Sequence, residues 1–216
     1  MSYSLNEIEA LAKRASRGAG LSWGAAEEAG KACRWLASND LPGGELLADL
    51  LTLNDLMEHE DVAPVSLDGV WRSRSGALCP LAAGMALNDC ADRLGQGHSV
   101  GMGQISFPLL VVPFAALAAK YISAPVTVAW HDTSITTDGN LLWIDDPKSQ
   151  IGVASVASLT CTRATQIDDR AQSPTLRGNA SDAAWTCLNK FAHRTYAPAT
   201  PESRLLGAGA GASDND

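Results

Sequence analysis

An α+β domain is the fold that this chain predicts, and three observations lead to it. The first 56 residues carry three apolar stripes at helical spacing. From Val62 onward the pattern turns to short β-prone runs, two of them folded about Asp-Gly pairs. A last amphipathic stretch then precedes a glycine-rich tail. Expected are a helical N-terminal third, a strand-rich middle with antiparallel hairpins, and a C-terminal helix followed by that tail. We draw residues 1–206 as one domain, a size that buries a core without staples, and residues 207–216 as an acidic, glycine-rich extension.

Each element has a local reason. Ser4 with Glu7 three positions on forms a capping-box pattern, and Leu5, Ile8 and Leu11 recur behind it. Lys13, Arg14 and Arg17 suit the last turn of that helix, and Gly18 supplies its stop. A second helix opens at Ser22, with Ala25, Ala29, Ala32, Cys33 and Leu36 on one face and an i,i+4 pair of Glu27 with Lys31. After the Leu41-Pro42-Gly43-Gly44 turn, Leu46, Leu47, Leu50, Leu53 and Leu56 make a third stripe. Asp68-Gly69 predicts a hairpin of 65–67 with 70–72, and Asp138-Gly139 one of 134–136 with 141–143. Further strands are expected over 126–130 and 153–162, and helices over 80–94 and 115–121, where Ala and Leu dominate. Ser181 caps the last helix, whose stripe is Trp185, Leu188 and Phe191 and whose end is His193-Arg194. Thr200-Pro201 opens one short extra turn.

Composition excludes several roles. The net charge is −8, and no Lys/Arg run exceeds Lys13-Arg14, so neither nucleic acid nor an anionic membrane surface is an expected partner. The most apolar stretch, 105–119, holds two prolines and falls short of the roughly 20 residues that a bilayer-spanning helix needs. It reads as buried core. The polar start SYSLNEIEA has no apolar signal region. Five cysteines without C-x-x-C spacing read as reduced thiols of a cytoplasmic protein, and the Asn179-Ala180-Ser181 sequon as chance.

Chemistry concentrates at two places. Gly18-Ala19-Gly20-Leu21-Ser22-Trp23-Gly24 precedes a helix, and Arg17 and Arg14 lie one turn upstream. A helix–helix turn is one reading and an anion site at the helix start is the other. No strand precedes it, so a dinucleotide fingerprint is not supported. Trp23 is the tryptophan expected to line a pocket. The last 24 residues, HRTYAPATPESRLLGAGAGASDND, offer more. Arg194 and Arg204 suit two-pronged binding of a carboxylate, and His193 suits proton transfer near neutral pH. Tyr196 and Ser203 are hydrogen-bond donors to a substrate oxygen, and the glycines allow close backbone approach. The plain alternative is a capped helix end and a frayed tail. Glu58-His59-Glu60-Asp61 and His131-Asp132 contain ligand types without convergent spacing, so no metal site is expected and the former reads as a solvated acidic loop. No G-x-S-x-G, P-loop or H-E-x-x-H motif occurs.

The segments SLNEIEALAKRASRGAGLSWGAAEEAGKACRWL and FAHRTYAPATPESRLLGAGAGASDND resemble an uncharacterised family of α-proteobacterial proteins known as a domain of unknown function. The resemblance covers about a quarter of the chain and implies a bacterial cytoplasmic protein of this length, with no activity or cofactor attached. The leading expectation from the residues is therefore an enzyme or enzyme subunit acting on a small anionic metabolite. Catalytic residues would be His193 and Tyr196, and substrate contacts Arg194, Ser203, Arg204, Arg17 and Trp23. The competing expectation is an accessory protein that docks on a partner, or on a second copy of itself, through its C-terminal segment.

Overall fold

The computed structural model describes residues 1–168 and 170–196. A short strand β1 (Ser2–Ser4) leads into helices α1 (Leu5–Gly18), α2 (Trp23–Ser38) and α3 (Gly43–Leu53), followed by one turn, α4 (His59–Val62). The capping box forms as the sequence predicts. Glu7 N–H donates to Ser4 Oγ at 3.2 Å, and Ser4 N–H donates to Glu7 Oε2 at 2.8 Å. Ser22 caps α2 and Ser181 caps the final helix, α8 (Asp182–His193), each accepting a backbone N–H three residues on. The third stripe holds only in part. Leu46, Leu47 and Leu50 are buried, whereas Leu53 is 55% and Leu56 92% exposed, because the helix stops at Leu53 and Leu56 sits at φ +66° in the left-handed region.

The middle of the chain alternates sheet and helix. Strand β2 (Val70–Trp71) is followed by α5 (Pro80–Asp89), α6 (Ala91–Gly95), β3 (Val100–Met102) and β4 (Ile105–Ser106). A 3₁₀ turn, Pro108–Val111, runs into α7 (Val112–Ile122). Strands β5 (Val126–Trp130), β6 (Thr133–Thr137), β7 (Leu142–Asp145), β8 (Ser155–Val156), β9 (Leu159–Arg163) and β10 (Arg177–Asn179) complete the set. Six of them form one sheet in the order β2-β3-β9-β5-β6-β7, antiparallel except for β2 beside β3. β5 and β6 alternate buried and half-buried residues, the pattern of a sheet packed on one face. Helix α7 lies against these two strands.

Four expectations need correction. Asp138-Gly139 does turn β6 into β7, with Thr136 opposite Trp143, but through a four-residue loop. Asp138 Oδ1 accepts the N–H groups of Asn140 (2.8 Å) and Leu141 (2.7 Å), so the side chain closes the turn. Asp68-Gly69 makes no such ladder. Val70 and Trp71 pair in parallel with Gly101 and Met102, which buries the Trp71 ring, and one bond from Val65 N–H to Arg72 O (2.9 Å) is what spans the turn. The long helix expected over 80–94 breaks at Cys90, whose N–H is shared between Ala86 O (3.1 Å) and Leu87 O (3.2 Å) after the weak helix formers Asn88 and Asp89. Similarly, the run 153–162 divides between two sheets.

The two ends of the described chain meet. β1 pairs antiparallel with β10, and the Tyr3 ring stacks on Trp185 at 3.6 Å between centroids. α1 packs on α8 so closely that a Cβ on Gly18 would lie 1.8 Å from Phe191 O, so the helices can approach only with glycine there.

Candidate functional site

Two loops and the start of a helix, remote from one another in sequence, enclose a cleft of about 710 Å³, within the size range of small-molecule sites. One side is the α1–α2 turn, Gly18 to Ser22. The opposite side is the end of α3 with the loop Asn54–His59. The floor is the N-terminal half of α5, and Arg194 closes the rim. Leu50, Leu51, Val62, Leu81 and Met85 make the inner wall apolar, while Asn54, Asp55, Glu58 and His59 place polar groups on one side of it.

The α1–α2 turn is a helix–helix turn stiffened by its own backbone. Ala19 N–H donates to Ala15 O (2.9 Å), Gly20 N–H to Arg17 O (3.0 Å) and Leu21 N–H to Ser16 O (3.1 Å). Arg17 donates to the Leu21 carbonyl and lies over the Trp23 ring, 4.4 Å from its centroid. Both are spent on holding the turn, and Trp23 stands 70% exposed outside the cleft lining.

Of the described C-terminal residues expected in a site, Arg194 is the one on the cleft. It clasps Asp55 with two bonds, Nη1 to Oδ1 at 2.7 Å and Nη2 to Oδ2 at 2.9 Å. That guanidinium holds the Asp55 carboxyl below the ordinary carboxylate range. His193, at the end of α8, is exposed and meets the Tyr196 ring edge-on at 5.0 Å. Tyr196 Oη in turn accepts a hydrogen bond from Arg14 Nη1 at 3.3 Å. The N-terminal and C-terminal polar clusters are therefore joined, through Arg14 and Tyr196, but His193 and Tyr196 lie outside the cleft lining. Ser203, Arg204, the Thr200-Pro201 turn and the tail 207–216 lie outside the described residues.

Sequence reasoning missed Cys79, Asn54 and Asp55, and set His59 aside as part of a solvated acidic loop. Cys79 occupies the position before Pro80, the first residue of α5, and is 8% exposed. Burial pushes its thiol up, whereas the N–H groups of Ala82 and Leu81 and the Asn54 side chain favour the thiolate. Burial also drives the Cys161 thiol, beneath the sheet, up to about 12. A signal existed in Cys-Pro opening an Ala/Leu helix, the sequence of a thiol at a helix N-terminus. The acidic loop divides: Glu58 and His59 line the rim, and Glu60 pairs with Arg74 at 3.5 Å. Among the described residues no three His, Cys, Asp or Glu side chains converge to hold a metal ion. No helix of the described residues is long and apolar enough to cross a membrane.

The cleft can receive a molecule with an apolar body, place its polar end against Asn54, His59 and the Asp55–Arg194 pair, and offer it a thiol. No curated protein and no solved structure matches this chain. Residues 3–78, which run from β1 to the residue before Cys79 and supply both loops of the cleft, match the model of a family described as a protein of unknown function (DUF3726).

Proposed function

We propose that this protein binds and acts on a small organic acid, or a derivative of one, in the cleft between the α1–α2 turn and the Asn54–His59 loop. The observation that carries the reading is the cleft itself, of ligand size, mainly apolar inside and polar at one rim. A carboxylate head group fits Arg194, where Asp55 already models the two-pronged geometry; the ligand would exchange with Asp55. The five free cysteines support placement in a reducing compartment, the cytoplasm.

Thermal melting of the full chain with a series of straight-chain carboxylates tests this. A ligand at 100 times its Kd stabilises by about 2.7 kcal/mol, roughly a 5–10 °C rise in Tm for a chain of this size. The rise is expected in the natural protein and absent from Ala19→Trp, which fills the rim. An equal response in both would remove the cleft from the account.

A second reading has its own observation. Leu53, Leu56 and Met57 are exposed beside the rim, as on a surface that meets a partner. In that reading the C-terminal segment docks on another protein or a second copy. Deleting 207–216 separates the two: lost assembly with an unchanged carboxylate response favours docking.

A further inference from the structure

We propose that the cleft is also the docking site of this chain's own C-terminal segment, with Leu205 and Leu206 seated on its apolar wall, so that the segment competes with the ligand. The inference shares the cleft with the reading above and gives that site a regulator within the same chain. The last described residues lie at the mouth. Arg194 stands on the rim, and Tyr196, two residues and at most about 7 Å of backbone further on, is held by Arg14 through its Oη at 3.3 Å. Residues 197–216 continue from that point.

Length, composition and charge favour this occupant. The stretch from Tyr196 to Leu205 reaches up to about 30 Å when extended, whereas a cleft of about 710 Å³ is roughly 9 Å across. Residues 205–212, Leu-Leu-Gly-Ala-Gly-Ala-Gly-Ala, carry no charge and nothing bulkier than leucine. Such a run suits a groove walled by Leu50, Leu51, Leu81 and Met85. Arg204, immediately before it, is opposite in charge to Glu58, which stands exposed on the rim. The apolar lining also continues outward: Leu56 is 92% and Met57 43% exposed, and both belong to the cleft. Single exposed apolar residues are ordinary, but neighbours at the mouth of an apolar cleft form a surface that a covering segment shields.

The tether decides occupancy. A segment joined to its site by a short linker is present there at an effective concentration in the millimolar range. Contacts too weak to hold a separate peptide at micromolar concentration therefore suffice to fill the cleft within one molecule. Leucine side chains and an aliphatic ligand gain from burial on the same wall, so each excludes the other. A ligand binds only molecules whose cleft is open, and its apparent affinity falls by that fraction. Docking on a second copy makes the same contacts without the tether and depends on protein concentration.

The test compares the natural full chain with the full chain carrying Leu205→Asp and Leu206→Asp together. The probe is a fluorescein-labelled peptide of residues 200–213, and binding is read by fluorescence anisotropy. Expected is binding to the variant that is at least roughly 10-fold tighter than to the natural chain, whose own segment holds the site. A peptide with the same two substitutions should bind the variant at least about 10-fold less well, the loss that follows from giving up one buried leucine. Adding Ala19→Trp to the variant should abolish peptide binding, and melting curves check that each variant folds. Equal peptide binding by natural chain and variant overturns the proposal, as does binding that ignores Ala19→Trp or the leucine substitutions. A dimer of the natural chain that the variant loses overturns it in favour of exchange between copies. A carboxylate-induced Tm rise without peptide binding overturns the docking and leaves the cleft as a ligand site. Peptide binding of the expected pattern without any carboxylate response upholds the docking and removes the ligand reading.

Discussion

The six-stranded sheet and the cleft rim treat their awkward residues in opposite ways. In the sheet, buried and half-buried hydroxyls find partners close by: Thr133 Oγ1 donates to Asp146 Oδ1 at 2.8 Å, Thr137 Oγ1 to Leu141 O at 2.8 Å, and half-buried Thr127 meets Thr136 at 2.8 Å. Asp146 also accepts the N–H groups of Gln150 (2.7 Å) and Ile151 (2.9 Å), so a loop is closed by the same carboxylate. The rim leaves things undone. It carries a leucine in the left-handed region and exposed apolar side chains at Leu53 and Met57. Polar satisfaction and matched patterning are what stability selects, and residues that depart from both collect where a protein binds or reacts. The contrast sets a region whose hydroxyls are paired against the rim at which the proposed ligand would bind.

The comparison breaks most visibly through the core of the sheet. Ile135→Ala, at a fully buried position of β6, is expected to lower stability by about 2–5 kcal/mol in urea unfolding. Well below its melting temperature, the carboxylate-induced stabilisation proposed for the cleft should persist. Loss of both together would mean that sheet and cleft are one cooperative unit in function as well as folding. Gly18→Ala probes the border between them, since its Cβ would strike a backbone carbonyl of α8. A stability loss of about 1–3 kcal/mol is expected, with a cleft response weakened because Arg194 moves away from Asp55.

Two smaller effects sharpen the contrast. Leu56→Gly relieves the left-handed conformation and is expected to raise stability by roughly 0.5–1 kcal/mol. A gain in Tm accompanied by a weaker carboxylate response would show that Leu56 is kept for contact with ligand. The last effect is one of pH. Asp55 has a folded pKa below its unfolded value because Arg194 hydrogen-bonds the carboxylate. Its stabilising contribution is therefore complete above the unfolded value and is lost as pH falls through the folded one. Asp55→Asn should melt lower than the natural protein at neutral pH, and the gap should close on acidification. A gap that stays constant with pH would assign the difference to packing.

How far the sequence reaches follows the same division. Helix starts were legible because their chemistry is local: Ser4 with Glu7, Ser22 and Ser181 each cap within three residues. The β5 strand and the β6–β7 hairpin were legible from alternation and an Asp-Gly turn. Asp68-Gly69 carried the same signal and failed, because burying Trp71 beside β3 outweighed the local turn. The cleft was not legible, because Gly18–Ser22, Asn54–His59 and Cys79–Met85 become neighbours only when α1, α3 and α5 pack. The cationic and aromatic residues that looked most functional, Arg17, Trp23, Arg194 and Tyr196, each have partners within the described chain, and a one-dimensional reading has no means of seeing those partners.

The contact of Gly18 with the Phe191 carbonyl bears on how the cleft responds to ligands of different length. With α1 locked to α8, and the turn after α1 closed by its own backbone bonds, that jaw has a fixed position. The opposite jaw is a loop in which Met57 N–H donates to Asn54 O at 3.0 Å and Asp55 is held by Arg194. On the proposed reading of the cleft, the fixed jaw limits ligand length, so a homologous series of carboxylates should gain affinity gradually up to the length the cleft holds and fall sharply beyond it.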